Sequence, residues 1–239
     1  VPVRYYAAHT GRWGGDDKIN LQNLPSRGVN GKKLKRSIIP PVGHTIIDAD
    51  SSQIEARVLA WLAGQDDLTE AFAKGEDVYK KMASRIYAVA ESDVTKDQRF
   101  VGKTTILGAG YGMGAQKFQD QLNTFGFQLE LGEARRVIKI YRETNYNINK
   151  LWREAQQTLP LLHAPPRDSK VSLGCHDALI IEDGKIRLPS GLYIRYEDLR
   201  FDQTDKGVEF HYKTRRGRTR IYGGKIIENV CQAIARCIL

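Results

Sequence analysis

The sequence is poor in several features, and each shortage narrows what the protein can do. It has three cysteines, Cys175, Cys231 and Cys237, with no CxxC pair and one left over. A disulfide framework and a thiolate zinc site are therefore not expected, and a reducing compartment is. The five histidines are scattered, without HExxH spacing, which removes the commonest zinc-hydrolase pattern. No run of about 18 apolar residues occurs, so no membrane span and no membrane partner are expected. The chain opens VPVRYYAAHTGRW, with neither a starting Met nor a basic-then-apolar leader, so a piece cut from a longer chain is expected. There is no internal repeat and no low-complexity tract.

Positive charge is plentiful. Lys and Arg number 37 against 28 Asp and Glu, a formal net charge of +9. The basic residues crowd into GKKLKR (31–36) and KTRRGRTR (213–220). Such runs suit either a solvated surface or a polyanion partner, and charge alone does not choose between them.

Periodicity gives the organisation. Residues 1–43, rich in Gly, Asn, Pro and Arg, read as loop and short strand. HTIIDAD (44–50) is a short apolar run ending in acid and reads as a buried strand. SSQIEARVLAWLAG follows, with Ile54, Val58, Leu59 and Leu62 at helical spacing, Ser51 or Ser52 as the cap and Gly64 as the stop. Residues 66–159 are helical with polar interruptions. From Leu173 to Tyr212, GKIRLPSGLYIRYEDLRF and GVEFHYKT alternate as strands do. KIIENVCQAIARCIL closes the chain as a helix on Ile227, Val230, Ile234 and Ile238. The order predicts an α+β protein, a mixed sheet interrupted by a helical subdomain.

Gly102-Lys103-Thr104 resembles the end of a nucleotide-triphosphate loop, but the pattern G-x-x-x-x-G-K-[ST] after a buried strand is not met. Asp97 stands five residues before Gly102, and the preceding ESDVTKDQRFV is polar and helical. A P-loop ATPase or motor is thereby disfavoured. Arg99, Lys103, Leu107 and Tyr111 instead recur every fourth residue and share one broad helix face. Gly102, Gly108, Gly110 and Gly112 lie in the same stretch, at about 1 kcal/mol each against Ala inside a helix. A frayed helix end packed on a neighbour and a bare surface for a close-approaching ligand both account for them. Two cations one turn apart would take the phosphates of a nucleoside triphosphate, with sugar and base near Leu107 and Tyr111. Such a site wants Mg²⁺ on hard oxygens, and DADSSQIEAR offers Asp48, Asp50 and Glu55. A strand-end Asp is also a common helix cap, so the pairing with the basic helix carries the metal reading.

These segments together resemble the family A DNA polymerases. DADSSQIEARVLA is similar to the family's motif A, whose core is D-x-S-Q-I-E-x-R. The stretch Arg99-xxx-Lys103-xxxx-Gly108-xx-Tyr111-Gly112 is similar to its motif B. TGRW (10–13) with NLQNLPSRG (20–28) resembles the segment ahead of motif A, and ENVCQAIAR (228–236) the helix before its last motif. All four stand in the family's order, and the wording is nearest the phage branch.

The resemblance implies a right-hand polymerase, with palm from 1–63 and 185–239 and helical fingers from 64–184. It implies template-directed addition of deoxynucleotides to a primer 3′ end, with two Mg²⁺ ions, in the cytoplasm of a bacterium or phage-infected host. Partners would be primer–template DNA, deoxynucleoside triphosphates and the rest of the polymerase chain. Asp50 would ligate metal with the Ser51 carbonyl beside it. Ser51, Gln53, Glu55, Arg99, Lys103, Leu107 and Tyr111 would surround the nucleotide. Glu55 with Tyr111 would exclude a ribose 2′-hydroxyl, and Lys103 would protonate pyrophosphate. Arg12, Gln22, Gly112 and Gln232 would touch DNA.

The pattern also breaks. The family's His-Asp-Glu hairpin would follow ENVCQAIAR, and the chain stops at Leu239. Two divalent ions about 4 Å apart repel by on the order of 16 kcal/mol at an effective dielectric of 20, more than one aspartate can offset. The chain is therefore expected to be inactive alone. His176-Asp177 precedes LPSG, in the wrong order for a substitute. Leu107 stands where the family usually has Phe or Tyr, and Cys237 where phage relatives tend to have Asp. A second reading is a non-catalytic nucleic-acid-binding remnant. An RNA polymerase of the same shape is weaker, because the Ser52-Gln53-Glu55 set argues for deoxynucleotides.

Overall fold

The computed structural model describes residues 3–17, 20, 24, 28–47, 49–166, 170–205, 207–215 and 217–239, with backbone alone at 28, 29, 32 and 35. Gln22 and Asp48 lie outside the described residues. The chain opens with a two-stranded antiparallel pair, β1 (Val3–Arg4) and β2 (Gly14–Gly15). Between them a tight loop closes through the Ala7 amide on the Arg12 carbonyl at 2.9 Å. A helix not expected from the sequence, α1 (Gly28–Arg36), follows. Its nine residues include only two large apolar side chains, Val29 and Leu34, too few to show a helical stripe.

HTIIDAD is not a strand. Its described residues are coil and exposed, with Ile46 at 51% and Ile47 at 87% exposure. A strand exists only by pairing, and no strand among the described residues lies beside this segment. α2 (Ile54–Ala63) does form, burying Val58, Leu59 and Leu62 and stopping at Gly64 in the left-handed conformation. Neither serine caps it. Gln53 occupies the N-cap at φ 59°, without a side-chain cap bond, and the Ser51 carbonyl accepts from the Ile54 amide at 3.4 Å.

The expected helical region is present as α3 (Asp66–Ala73), α4 (Val78–Tyr87), α5 (Lys96–Ala109), α6 (Ala115–Thr124), α7 (Leu131–Thr144), α8 (Tyr146–Gln157) and α9 (Leu159–His163). Antiparallel strands then build two sheets, β3 (Val171–Leu173), β4 (Leu179–Glu182), β5 (Lys185–Arg187) and β6 (Tyr193–Arg195), followed by β7 (Arg200–Thr204), β8 (Gly207–Thr214) and β9 (Gly217–Ile221). The first sheet runs across residue 184, since Ile180 pairs with Arg187. α10 (Gly223–Ile238) packs on α2 and α8. Its two leading glycines permit this approach: a Cβ on Gly223 would stand 2.2 Å from the Trp152 carbonyl oxygen, and one on Gly224 2.6 Å from that of Tyr111. One apolar cluster joins the helices to the first sheet, with Leu62, Ile148, Leu179 and Ile227 at its centre.

Candidate active site

α5 begins at a reciprocal capping box, in which the Gln98 amide donates to Thr95 Oγ1 at 3.2 Å and the Thr95 amide to Gln98 Oε1 at 2.9 Å. Gly102-Lys103-Thr104 therefore falls in mid-helix, where backbone amides are spent on the helix and cannot cradle phosphates. Arg99 and Lys103 do share a face. Both lie over one ring, that of Tyr79 on α4, with Arg99 Cζ 5.3 Å and Lys103 Nζ 5.8 Å from its centroid. Arg99 Nε also donates to Asp77 at 2.7 Å. Asp77 is the N-cap of α4 and accepts from the Tyr79 and Lys80 amides. Partial burial pushes the Asp77 carboxyl up, but Arg99 and the two helix amides outweigh it and hold it below the usual carboxylate range.

The Tyr79 ring thus lies beneath both cations. Burial pushes the Tyr79 pKa up, and the Gln53 side chain acts on it in the opposite sense. Gln53, in the left-handed conformation, ends the coil carrying Asp50 and Ser51. Asp50 is exposed. Two residues after Gln53, Glu55 is held from two sides, by Arg12 Nη1 at 3.2 Å and by the Tyr111 hydroxyl at 3.5 Å. Burial, then the neighbouring Cys231 and Glu55, raise the Tyr111 pKa far above the ordinary phenol value, so this hydroxyl stays protonated and donates.

Tyr111 is not on the outer face of α5 as its spacing predicts. The helix ends at Ala109, and the turn carries Tyr111 inward to Glu55. Leu107 keeps the outer face, 40% exposed. The glycines do not bare a surface. A Cβ on Gly102 would stand 2.3 Å from the Tyr79 carbonyl oxygen, so this glycine lets α5 approach α4. Gly108 faces Met113 and Gly110 faces Leu59, while Gly112 turns at φ 79° beside Gly224. The reading as helix packing holds over the reading as ligand room.

Of the expected DNA contacts, Gln232 accepts from the buried Thr10 hydroxyl at 3.4 Å, which brings α10 beside the TGRW turn. Arg12 and Gln232 are thereby joined through neighbouring residues 10 and 12, and Gly112 sits at the start of α10. His176-Asp177 lies elsewhere. It packs at the Gly64 end of α2, since a Cβ on Gly64 would meet Cys175 Sγ at 2.5 Å, about 15 Å along the helix from the Asp50 end. Asp177 accepts there from Ser172 at 2.5 Å.

The sequence reading missed Tyr79 and Asp77. The signal for Asp77 was present, since an Asp preceding VYKKMASRIY is a helix cap. Tyr79 had none, because one aromatic on an apolar helix stripe reads as core.

A model of DNA polymerase family A matches residues 3–160. A DNA polymerase of Bacillus phage SP02 is 28% identical over 271 aligned residues, covering 97% of this chain and 41% of that one. DNA polymerase I of Chloroflexus aurantiacus is 41% identical over 108 residues, 45% of this chain and 11% of that one. The chain thus spans less than half the length of these relatives. Among solved structures, the POL domain of Pol1 from M. smegmatis, in complex with DNA primer-template and dNTP, superposes with a TM-score of 0.56 at 22% identity. It covers 98% of this chain and 33% of that one, and shares its mixed helix and antiparallel-sheet fold.

Proposed function

Because this chain belongs to DNA polymerase family A, we propose that it forms the nucleotide-selecting part of a DNA polymerase, adding deoxynucleotides to a primer 3′ end as a template directs. One observation carries the reading: Glu55, five residues after Asp50, is held by Arg12 and by the Tyr111 hydroxyl, just past the end of the helix whose face bears Arg99 and Lys103. The segment carrying the carboxylate and the helix carrying the two cations are thus joined through Glu55 and Tyr111, 56 residues apart in sequence.

In this reading Arg99 and Lys103 hold the triphosphate by charge-assisted bonds. The primer 3′-hydroxyl gives up its proton to solvent as its oxygen bonds to the α-phosphorus, the bond to the bridging oxygen breaks, and Lys103 Nζ gives a proton to the departing pyrophosphate. Glu55, fixed by Arg12 and Tyr111, closes the space beside the sugar 2′ position, so a deoxyribose fits and a ribose does not. Arg12, Gln22, Gly112 and Gln232 lie against the primer–template. Phosphate and minor-groove contacts suit an enzyme that must accept every correct pair.

The donor chemistry suits magnesium. Asp50 is an exposed carboxylate and the Ser51 carbonyl has only a long 3.4 Å amide on it, both hard oxygens. They would hold one ion, which when bound offsets phosphate charge. No cluster of three or more Asp, Glu, His or Cys able to hold a metal occurs among the described residues. In this proposal a second carboxylate, from the remainder of the polymerase, completes a two-ion site. Palm from 1–63 and 185–239 with fingers from 64–184, and a cytoplasmic location, belong to the same proposal.

Equilibrium binding of a labelled deoxynucleoside triphosphate with Mg²⁺ tests it. Lys103→Gln is expected to weaken binding about tenfold or more, the loss of a hydrogen bond to a charged group. Residues 1–239 alone are expected to show no primer extension. Equal nucleotide binding by parent and variant rejects the assignment of Lys103.

A further inference from the structure

The basic run 213–220 is not used by the site above. Two of its cations are neutralised: Arg218 pairs with Asp198, and Arg220 pairs with Glu209 at 2.9 Å. Lys213 and Arg215 are exposed and have no ion-pair partner among the described residues. Both line a cleft of about 700 Å³ between the β6–β8 edge and residues 4–9. Arg195 lies on the same floor and Arg4 on the opposite wall, where Asp16 holds it at 2.8 Å. Glu197 is the one carboxylate among the lining residues.

Tyr6, Tyr193 and Tyr212 line the same cleft. Tyr6 is 43% exposed on the wall, with its backbone at φ 55°, a conformation rare for a bulky residue and retained here at the rim of the cleft. Tyr193 on β6 is half-buried, with Lys185 Nζ 4.5 Å and Arg195 Cζ 5.7 Å from its ring centroid. Beneath them Tyr212 is buried and packs edge-on to Tyr196 at 5.1 Å, making a firm base.

We propose that this cleft binds an unpaired stretch of DNA, without sequence preference, at a place separate from the Arg99–Lys103 helix. Cations beside an exposed ring such as Tyr6 are what a single strand uses, because its phosphates meet the charges while an exposed base face stacks on the ring. A duplex hides those faces inside its stack, and an acidic peptide would engage the cations but leave the rings idle. The inference goes beyond the nucleotide site and shares no residue with it.

Fluorescence anisotropy of a labelled oligothymidine with the whole chain tests the cleft. Lys213→Gln with Arg215→Gln is expected to weaken binding about tenfold and to lower the salt slope by about 1.4, two phosphate contacts on a single strand. Tyr6→Leu is expected to weaken it about fivefold or more at unchanged salt slope, and Tyr6→Phe to restore it. Blunt duplex of equal length should be insensitive to Tyr6→Leu. Parental oligothymidine binding by Tyr6→Leu, or equal competition by polyglutamate, overturns the proposal. Nucleotide binding by the Lys213/Arg215 variant stays at the parental level, so failure here is distinct from failure at Lys103.

Discussion

Tyr79 shows how much one side chain can organise. Its ring is the surface beneath Arg99 and Lys103. Asp77, two residues earlier, fixes Arg99 directly. Because the Asp77 pKa is lowered in the fold, its charge contributes stability above the unfolded carboxylate value near ~3.9. That contribution is lost as pH falls through the lower folded value. Asp77→Asn keeps a capping oxygen and removes the charge. It should therefore cost under about 1 kcal/mol at pH 7, since the pair is partly exposed, and nothing once both forms are neutral. Urea unfolding at the two pH values measures this, and a difference that grows towards acid would refute it. Leu107 bears on chemistry instead. Leu107 is an exposed aliphatic on α5, and under the proposed nucleotide site it gives looser contact than a ring near the sugar 3′ position. In the assembled polymerase, Leu107→Phe is expected to change the incorporation rate and the discrimination against dideoxynucleotides. Unchanged incorporation kinetics would remove that role.

Among the elements, α5 separates what sequence periodicity can reveal from what it cannot. Its four-residue spacing correctly placed Arg99, Lys103 and Leu107 together, because a helix repeats every 3.6 residues whatever surrounds it. The glycines are another matter, since their purpose depends on a partner helix that the segment does not contain. Gly102→Ala would drive a Cβ to 2.3 Å from the Tyr79 carbonyl oxygen and should destabilise by about 1–3 kcal/mol as α4 and α5 separate. Gly108→Ala meets the flexible ends of two side chains, Met113 at 3.0 Å and Gln121 Oε1 at 3.5 Å, and gains up to about 1 kcal/mol of helix propensity, so it should be near neutral. Chemical denaturation of the two variants distinguishes them, and equal losses would contradict the packing account. HTIIDAD was misread for a related reason. Apolar residues in a short run resemble a strand, but only a neighbouring strand makes them one, and among the described residues none is beside them. α2 and α10 were legible because their apolar stripes bury on each other and are closed locally, by Gly64 on α2 and by the glycine pair that starts α10.

Across the whole molecule, distant segments meet where the chemistry is proposed. The TGRW turn, α2, the end of α5 and α10 are linked through Arg12–Glu55–Tyr111 and Thr10–Gln232, contacts spanning nearly the full chain. Family motifs revealed these segments in the sequence, whereas the hydrogen bonds between them belong to the fold. The central claim is that this assembly selects a deoxynucleotide by template. The most direct measurement is the salt resistance of a complex between the polymerase carrying this chain and a dideoxy-terminated primer–template, with each of the four deoxynucleotides added in turn. The complementary nucleotide alone should hold the complex together at raised salt, by about tenfold over the others, and Arg99→Gln should abolish that advantage. Equal stabilisation by all four nucleotides, or an advantage that survives in Arg99→Gln, would contradict the account.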